Sequence, residues 1–280
     1  MMKGILTTLG RSSLAMLLLT AVASAANEGN KVVNRWHPPE VASTYGDRYD
    51  DLFWLITTLV GVSFVIVCIM LAAAVLKFRS KPGSKAHYDH GTSLHDKRFT
   101  AIVSVVVFVV LDAWVLVIAM GDLREGVYAI PDLDGSRDVV QVEVLGQQWA
   151  WNFRLAGSDG IFDTADDIVT INELNLPVDT PISFNLTSKD VIHSFSLPAM
   201  RLKRDLNPGS ITMCWFEAIK TGDFDILCQE LCGFAHYQMV GMAHVMTKED
   251  FAAWEMEASR LATFAYDVDD TEAHWAWDWE

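Results

Sequence analysis

Residues 52–76, LFWLITTLVGVSFVIVCIMLAAAVL, are 25 consecutive positions without a charged side chain. At about 1.5 Å of rise per residue, a helix of this length exceeds the roughly 30 Å hydrocarbon core of a bilayer. A second apolar stretch, residues 99–120, has 22 residues and one charged side chain, Asp112. The two stretches predict a transmembrane hairpin over residues 52–120.

Basic residues fill the connection between the two stretches, and they are Lys77, Arg79, Lys81, Lys85, Lys97 and Arg98. Basic residues in a short loop keep that loop on the cytoplasmic side of the membrane. Both ends of the mature chain are therefore expected on the outer side. An intramembrane carboxyl such as Asp112 is costly and usually has a partner, which we expect in another subunit.

The first 25 residues have the composition of a secretory signal peptide. Lys3 and Arg11 are followed by a short apolar run and then by Ala23-Ser24-Ala25, which is typical of a cleavage site. We therefore expect residues 1–25 to be removed, which leaves 26–51 as a periplasmic N-terminal segment.

Charge is distributed unevenly along the chain. Residues 121–280 hold 10 Lys and Arg against 28 Asp and Glu, a net charge of −18. Such a surface attracts cationic partners and repels nucleic acid, although the same acidity could serve only to keep a domain soluble.

Short runs of alternating apolar and polar residues follow the second span. They occur at 140–144, 182–186 and 211–215, and they predict an antiparallel sandwich or barrel within residues 121–262. A final helix is predicted after Thr247 as N-cap, with Phe251, Trp254 and Ala258 on its apolar stripe. The tail, 263–280, is acidic and contains three tryptophans.

The stretch CQELCGFAHYQM, residues 228–239, contains two of the four cysteines of the chain. In an exported domain, Cys228 and Cys232 would ordinarily form a disulfide. However, His236 and Met239 add an imidazole and a thioether to the two sulfurs, and this soft donor set suits copper. Zinc would accept the thiolates and imidazole but gives no reason for the methionine.

A second imidazole, His193 in DVIHSFSLP, lies 35 residues before Cys228. A strand end in a sandwich can lie beside a loop between two later strands, so His193 could complete the site. Two thiolates can bridge two copper ions, with one histidine on each and with Met239 and a backbone carbonyl as weak ligands. Such a closed, soft site is typical of electron transfer.

These motifs resemble the CuA site of cytochrome c oxidase subunit II, and the resemblance extends over the whole mature chain. It implies a two-helix transmembrane hairpin followed by an all-β, cupredoxin-like Greek-key sandwich in a bacterial plasma membrane. It also implies partners in oxidase subunits I and III, a cationic cytochrome c as electron donor, and haem in subunit I as electron acceptor. The implied ligands of two copper ions are His193, Cys228, Cys232, His236, Met239 and the backbone carbonyl of Glu230. The Glu230 carboxylate would share a magnesium or manganese ion with subunit I.

The same resemblance implies a role for Trp149 in GQQWAWNF, residues 146–153, as the residue that receives the electron from cytochrome c. Gln147 and Ala150 stand where family members commonly have His and Tyr, so the docking surface differs in detail. From spacing alone, Trp149 and Trp151 would share one face of a strand and both belong to the core.

Other functions remain open at this level. Cys228 and Cys232 could serve a membrane-anchored copper chaperone or thiol redox protein, or could form a disulfide in an assembly module without metal. A nitric oxide reductase could carry a similar copper subunit. Two acidic features have no assigned role: Asp96, before the second span, is the nearest candidate for proton uptake, and the loop 159–167 is a solvated acidic loop or a calcium site.

Overall fold

The computed structural model describes residues 38–83, 85, 90–130 and 139–266. The predicted signal peptide, residues 26–37 of the predicted N-terminal segment and the tail from residue 267 onward lie outside these residues.

Two long apolar helices begin the described chain. Helix α1 spans Gly46–Phe78 and helix α2 spans Leu94–Tyr128, and each is long and apolar enough to cross a membrane. Ser93 caps α2 by accepting the N–H of Asp96. Two π-helical turns, Val107–Asp112 and Arg124–Tyr128, widen α2. The predicted hairpin of apolar helices is confirmed.

The outer domain is built from strands and a terminal helix. The strands are β1 (Val140–Gln147), β2 (Ala150–Leu155), β3 (Ile168–Ile171), β4 (Glu173–Pro177), β5 (Pro181–Ser188), β6 (His193–Leu197), β7 (Leu202–Leu206), β8 (Thr212–Glu217), β9 (Gly222–Cys228) and β10 (Val240–Met246). They form two five-stranded sheets, in the orders β3-β2-β1-β5-β8 and β4-β10-β9-β6-β7.

The core lies between the two sheets. Phe153 on β2 and Phe184 on β5 belong to the first sheet, and Phe195 on β6 belongs to the second; all three are 0 % exposed. Their rings meet across the interface, with centroid distances of 6.1 Å and 5.6 Å to Phe195. The predicted all-β sandwich is therefore confirmed.

The predicted antiparallel pairing is wrong for two strand pairs. Strand β1 pairs with β5 in parallel, and β10 pairs with β4 in parallel. Alternation in the sequence reports which face of a strand is buried, but carries no information about the direction of its neighbour. Here the chain passes from the first sheet to the second between β3 and β4, so β5 returns beside β1 in the same direction.

The last helix, α3, spans Lys248–Ala265 and therefore continues past residue 262. Thr247 is its N-cap and accepts the backbone N–H of Asp250 at 3.1 Å, as predicted. Phe251 is buried in the core, and Trp254 and Ala258 pack against it.

The start of α1 is attached to the sandwich. Arg201, after β6, donates from Nε and Nη2 to the two oxygens of Asp50 at 2.6 and 2.7 Å. Tyr45 meets Trp215 of β8 edge to face, with ring centroids 5.2 Å apart. A bidentate pair of this kind fixes orientation as well as distance, so the sandwich is held at the outer end of the helical hairpin.

Candidate metal centre

Strand pairing brings the two distant parts of the predicted ligand set together. His193 is the first residue of β6 and Cys228 is the last residue of β9. These strands are antiparallel neighbours with Phe195 opposite Cys228. The pairing continues one step further, because the Gln229 N–H donates to the Ser194 carbonyl at 3.0 Å. Strand pairing thus makes neighbours of His193 and Cys228, which are 35 positions apart in the sequence.

The remaining candidates lie in the connection between β9 and β10. The Cys228 N–H donates to the Met239 carbonyl at 3.3 Å and closes this connection at its base. A short 3₁₀ turn, His236–Gln238, directs the imidazole of His236 toward the sulfurs. Cys232 and Met239 are 2 % and 1 % exposed, so the sulfur side of the loop belongs to the core of the domain.

The donor atoms form a chain of short separations. Cys228 Sγ lies 3.9 Å from His193 Nδ1 and 3.8 Å from Cys232 Sγ. Cys232 Sγ lies 3.6 Å from His236 Nδ1 and 3.8 Å from Met239 Sδ. The backbone oxygen of Glu230 is 3.3 Å from Cys228 Sγ. The two sulfurs therefore lie in the middle, with one imidazole on each side.

These separations fit pairs of ligands that share a metal ion. With metal–nitrogen and metal–sulfur bonds near 2.0 and 2.3 Å and bond angles of 110–120°, two ligands of one ion lie about 3.5–4.0 Å apart. Six donors in two overlapping sets exceed the four ligands of a single tetrahedral ion. The soft sulfurs and the thioether suit copper better than zinc, calcium or magnesium.

Cys228 and Cys232 are free thiols rather than a disulfide. Their sulfurs are 3.8 Å apart, whereas a disulfide bond is about 2.05 Å long. The structure thus differs from the disulfide alternative and leaves both sulfurs available as ligands.

Asp190 orients the imidazole of His193. One carboxylate oxygen, Oδ1, lies 2.8 Å from His193 Nε2 and accepts the Val191 N–H at 2.6 Å. His193 is 0 % exposed, and burial alone would lower its pKa. The interactions with Cys228 and Asp190 outweigh burial and raise the pKa. Nδ1 faces the Cys228 sulfur at 3.9 Å, so a proton on Nε2 that is donated to Asp190 would leave Nδ1 free to bind a metal ion.

The two thiols ionise differently in the metal-free protein. Burial opposes the ionisation of Cys228, but hydrogen bonds with His193 and with the backbone of Ser194 and Glu230 outweigh it and lower the pKa. Burial and the neighbouring Cys228 thiolate raise the pKa of Cys232. Cys228 is therefore the thiol that ionises more readily, and metal binding must release the proton of Cys232.

Glu230 and Trp149 lie at the surface of the centre. The Glu230 side chain is exposed, while its carbonyl faces Cys228. Trp149 is 37 % exposed, whereas Trp151 is 0 % exposed. Trp149 lies in the two-residue turn between β1 and β2, not in a strand. The prediction from spacing that both tryptophans belong to the core is therefore wrong for Trp149.

Two residues that have no predicted role lie beside the candidate ligands. Asp190 contacts His193, and Gln148 donates from Nε2 to the carbonyl of Cys232 at 2.7 Å. The role of Asp190 could have been predicted from the sequence, because a carboxylate is a common partner of a metal-bound imidazole and Asp190 lies three residues before His193. The role of Gln148 could not have been predicted, because its hydrogen bond to Cys232 depends on the folded β1–β2 turn.

Comparisons with known proteins find related chains. The family model of the cytochrome c oxidase subunit II periplasmic domain matches residues 140–245. An alternative cytochrome c oxidase subunit 2 of Bradyrhizobium diazoefficiens is 31 % identical over 264 residues, which cover 85 % of this chain and 89 % of that protein. Cytochrome c oxidase subunit 2 of Cereibacter sphaeroides is 26 % identical over 295 residues, with coverages of 92 % and 93 %. The crystal structure of the periplasmic domain of subunit II of cytochrome oxidase (CoxB) of Bradyrhizobium japonicum aligns with 47 % of this chain and 98 % of its own, at 29 % identity and a TM-score of 0.40.

Proposed function

Because the chain belongs to the cytochrome c oxidase subunit II family, we propose that its outer domain holds a binuclear copper centre. Electrons from cytochrome c enter a haem-copper oxidase through this centre. Members of the family act within an oxidoreductase complex, so this chain supplies a relay and its partner subunits complete the active site.

One observation carries the proposal. The sulfurs of Cys228 and Cys232 lie 3.8 Å apart, and His193 and His236 flank them with Nδ1 at 3.9 and 3.6 Å from the nearer sulfur. Met239 and the Glu230 carbonyl lie at opposite ends of this row. Each histidine thus has a sulfur within sharing distance, so the two histidines and two cysteines would hold two copper ions between them.

The protein contributes rigidity and exclusion of water. His193, Cys232 and Met239 are nearly inaccessible to solvent, and His193 and the Cys228 backbone are fixed by strand pairing. When bound, a copper pair supplies one-electron redox chemistry in which charge is shared between two ions. A ligand set that cannot rearrange keeps the structural change on electron transfer small, and a buried site with no open position disfavours substrate binding.

We place the arrival of the electron at Trp149. Its indole is partly exposed and packs next to the connection between β9 and β10, residues 229–239, which we call the ligand loop. A Cβ on Gly233 of this loop would lie 3.3 Å from Trp149 Cζ2. The net charge of −18 in residues 121–280 favours a cationic cytochrome c. A copper pair held by His193, Cys228, Cys232 and His236 would accept one electron at a time from such a donor.

From this centre the electron passes to haem in subunit I. The complex lies in a bacterial plasma membrane and also contains subunit III. The exposed Glu230 carboxylate adjoins the centre through its own backbone, and in this proposal it shares a magnesium or manganese ion with subunit I. The two helices hold the domain on the outer side of the membrane.

The test is to count copper in the full-length chain, purified in detergent, loaded with copper and dialysed. We expect two coppers per chain by native mass spectrometry, fewer in Cys228→Ser and in His236→Ala, and no change in Cys214→Ser, whose thiol is buried away from the centre. One copper per chain, or equal retention in Cys228→Ser, would contradict the proposal. A Cys228–Cys232 disulfide in the native chain would favour the thiol redox or assembly alternatives. If the purified complex reduces nitric oxide instead of oxygen, the subunit belongs to a nitric oxide reductase.

A further inference from the structure

Gln148 occupies the first position of the two-residue turn between β1 and β2, since Gln147 pairs with Ala150 across the hairpin. The turn lies beside the ligand loop, and Trp149 is its second residue. Gln148 contacts one candidate ligand, Cys232, and also Asp190, the carboxylate behind His193, although it is itself exposed at the surface.

Its side chain reaches the ligand loop. Gln148 Nε2 donates to the backbone carbonyl of Cys232 at 2.7 Å. The carbonyl belongs to the residue whose sulfur lies between Cys228, His236 and Met239. The amide therefore restrains the central cysteine through its own backbone.

Its backbone reaches the other part of the set. The Gln148 N–H donates to Asp190 Oδ2 at 2.7 Å, and Asp190 Oδ1 is the partner of His193 Nε2. The bond to Oδ2 adds a third restraint to a carboxylate that Val191 and His193 already contact through Oδ1. One residue thus supports the carboxylate behind His193 and the carbonyl of Cys232.

The hydrogen bond between Gln148 and the Cys232 carbonyl leaves no room for a side chain at residue 233. Gly233 follows Cys232 with φ +122°, and a Cβ there would lie 2.8 Å from Gln148 Nε2 and 3.4 Å from Trp149 Nε1. A side chain at residue 233 would therefore push Gln148 off the carbonyl of Cys232. The close approach of loop and turn depends on glycine at this position.

We propose that Gln148 is a positioning residue of the metal centre, which holds the Cys232 carbonyl with its side chain and Asp190 with its backbone and so fixes both ligand groups against the turn that carries Trp149. This inference rests on the proposed function. Hydrogen bonds around a cysteine ligand tune the reduction potential, and residues behind the ligands support metal affinity. Because the amide withdraws charge from the Cys232 peptide, it stabilises the reduced, more electron-rich centre.

The experiment uses the full-length, copper-loaded chain in detergent and compares Gln148→Met and Gln148→Glu with the unsubstituted protein. Both variants keep the backbone N–H, and neither side chain donates to the carbonyl as the amide does; the carboxylate also repels it. We expect copper release to a chelator to quicken about 10–100-fold in Gln148→Met and further in Gln148→Glu. The reduction potential should fall in the same order.

The matched control is Gln147→Met, an adjacent glutamine for which the described part of the chain shows no side-chain hydrogen bond. It should change copper release by no more than about twofold, as expected for a surface substitution. Two coppers in the unsubstituted chain together with unchanged release and potential in both Gln148 variants would overturn this inference alone. Fewer than two coppers in the unsubstituted chain would overturn the proposed function and this inference with it.

Discussion

Replacing Asp190 by asparagine should weaken copper binding by its effect on His193. The carboxylate accepts three hydrogen bonds: Oδ1 faces His193 Nε2 and the Val191 N–H, and Oδ2 faces the Gln148 N–H. Asparagine has nearly the same shape but offers only one acceptor oxygen. Its NH₂ group must therefore face a donor in either orientation.

Both orientations have a cost. With the amide oxygen toward His193, the NH₂ group opposes the Gln148 N–H, and that exposed hydrogen bond is lost at about 0.5–1.5 kcal/mol. With the amide reversed, the NH₂ group faces His193 Nε2 and favours the tautomer with the proton on Nδ1, the nitrogen that faces Cys228 Sγ at 3.9 Å. A protonated Nδ1 cannot bind copper, so binding must first reverse the tautomer.

The expected loss is about 10–100-fold in copper affinity, which corresponds to about 1.4–2.7 kcal/mol. Competition with a chelator of known affinity measures it in the full-length chain. The matched control is Asp223→Asn, because Asp223 lies 2.7 Å from His244 Nδ1 in a similar pair on strands β9 and β10 that takes no part in the centre. If Asp190→Asn retains the native affinity while Cys228→Ser loses copper, Asp190 does not support the ligand and the reasoning is refuted.

Three further predictions concern other parts of the domain. Arg154 is 2 % exposed and pairs with the largely buried Glu143, so Arg154→Met should lower the free energy of unfolding by about 3–5 kcal/mol in denaturant titrations; Arg260→Met, on an exposed pair, should cost less than about 1 kcal/mol. Burial alone would raise the pKa of Asp166, but its hydrogen bonds outweigh burial and lower the pKa to about 2. These hydrogen bonds should therefore stabilise the fold above pH 3.8, and the stabilisation should be lost as the pH falls toward 2. Acid unfolding of Asp166→Asn should lack this pH dependence. Trp149→Gln should slow stopped-flow reduction by cytochrome c and leave the copper spectrum intact.

Each of these has a contradicting outcome. Equal unfolding free energies for the two arginine variants would remove the buried ion pair as a source of stability. An acid transition that is unchanged in Asp166→Asn would mean that other carboxylates govern it. An unchanged reduction rate in Trp149→Gln would move the electron-accepting position elsewhere on the surface.

The alternation of the sequence predicted which strand residues enter the core, and Val142 and Val144 are 1 % and 0 % exposed. It failed for Glu143, which alternation places at the surface but which is 8 % exposed. The reason is a long-range contact: Glu143 pairs with Arg154, and Asp163 of the acidic loop also binds Arg154, at 2.6 Å. Periodicity reports the face of a strand and cannot report that a loop will cover it.

The clustering of these candidate ligands was predictable because their chemistry is local and unusual. Sulfur, imidazole and thioether donors within twelve residues favoured metal over a disulfide, and His193 completed the pattern. The supporting contacts were not predictable, because Gln148 meets Cys232 only when the β1–β2 turn and the β9–β10 connection fold side by side. Glutamine in a turn has no spacing that indicates such a role.

The most direct test of the central claim is electron paramagnetic resonance of the full-length chain after copper loading and mild oxidation. A binuclear centre bridged by Cys228 and Cys232 predicts one unpaired electron shared equally by two coppers, with a hyperfine pattern that shows both nuclei. The pattern should be lost in Cys232→Ser and kept in Cys214→Ser. A signal from a single isolated copper, with hyperfine splitting from one nucleus, would contradict the account.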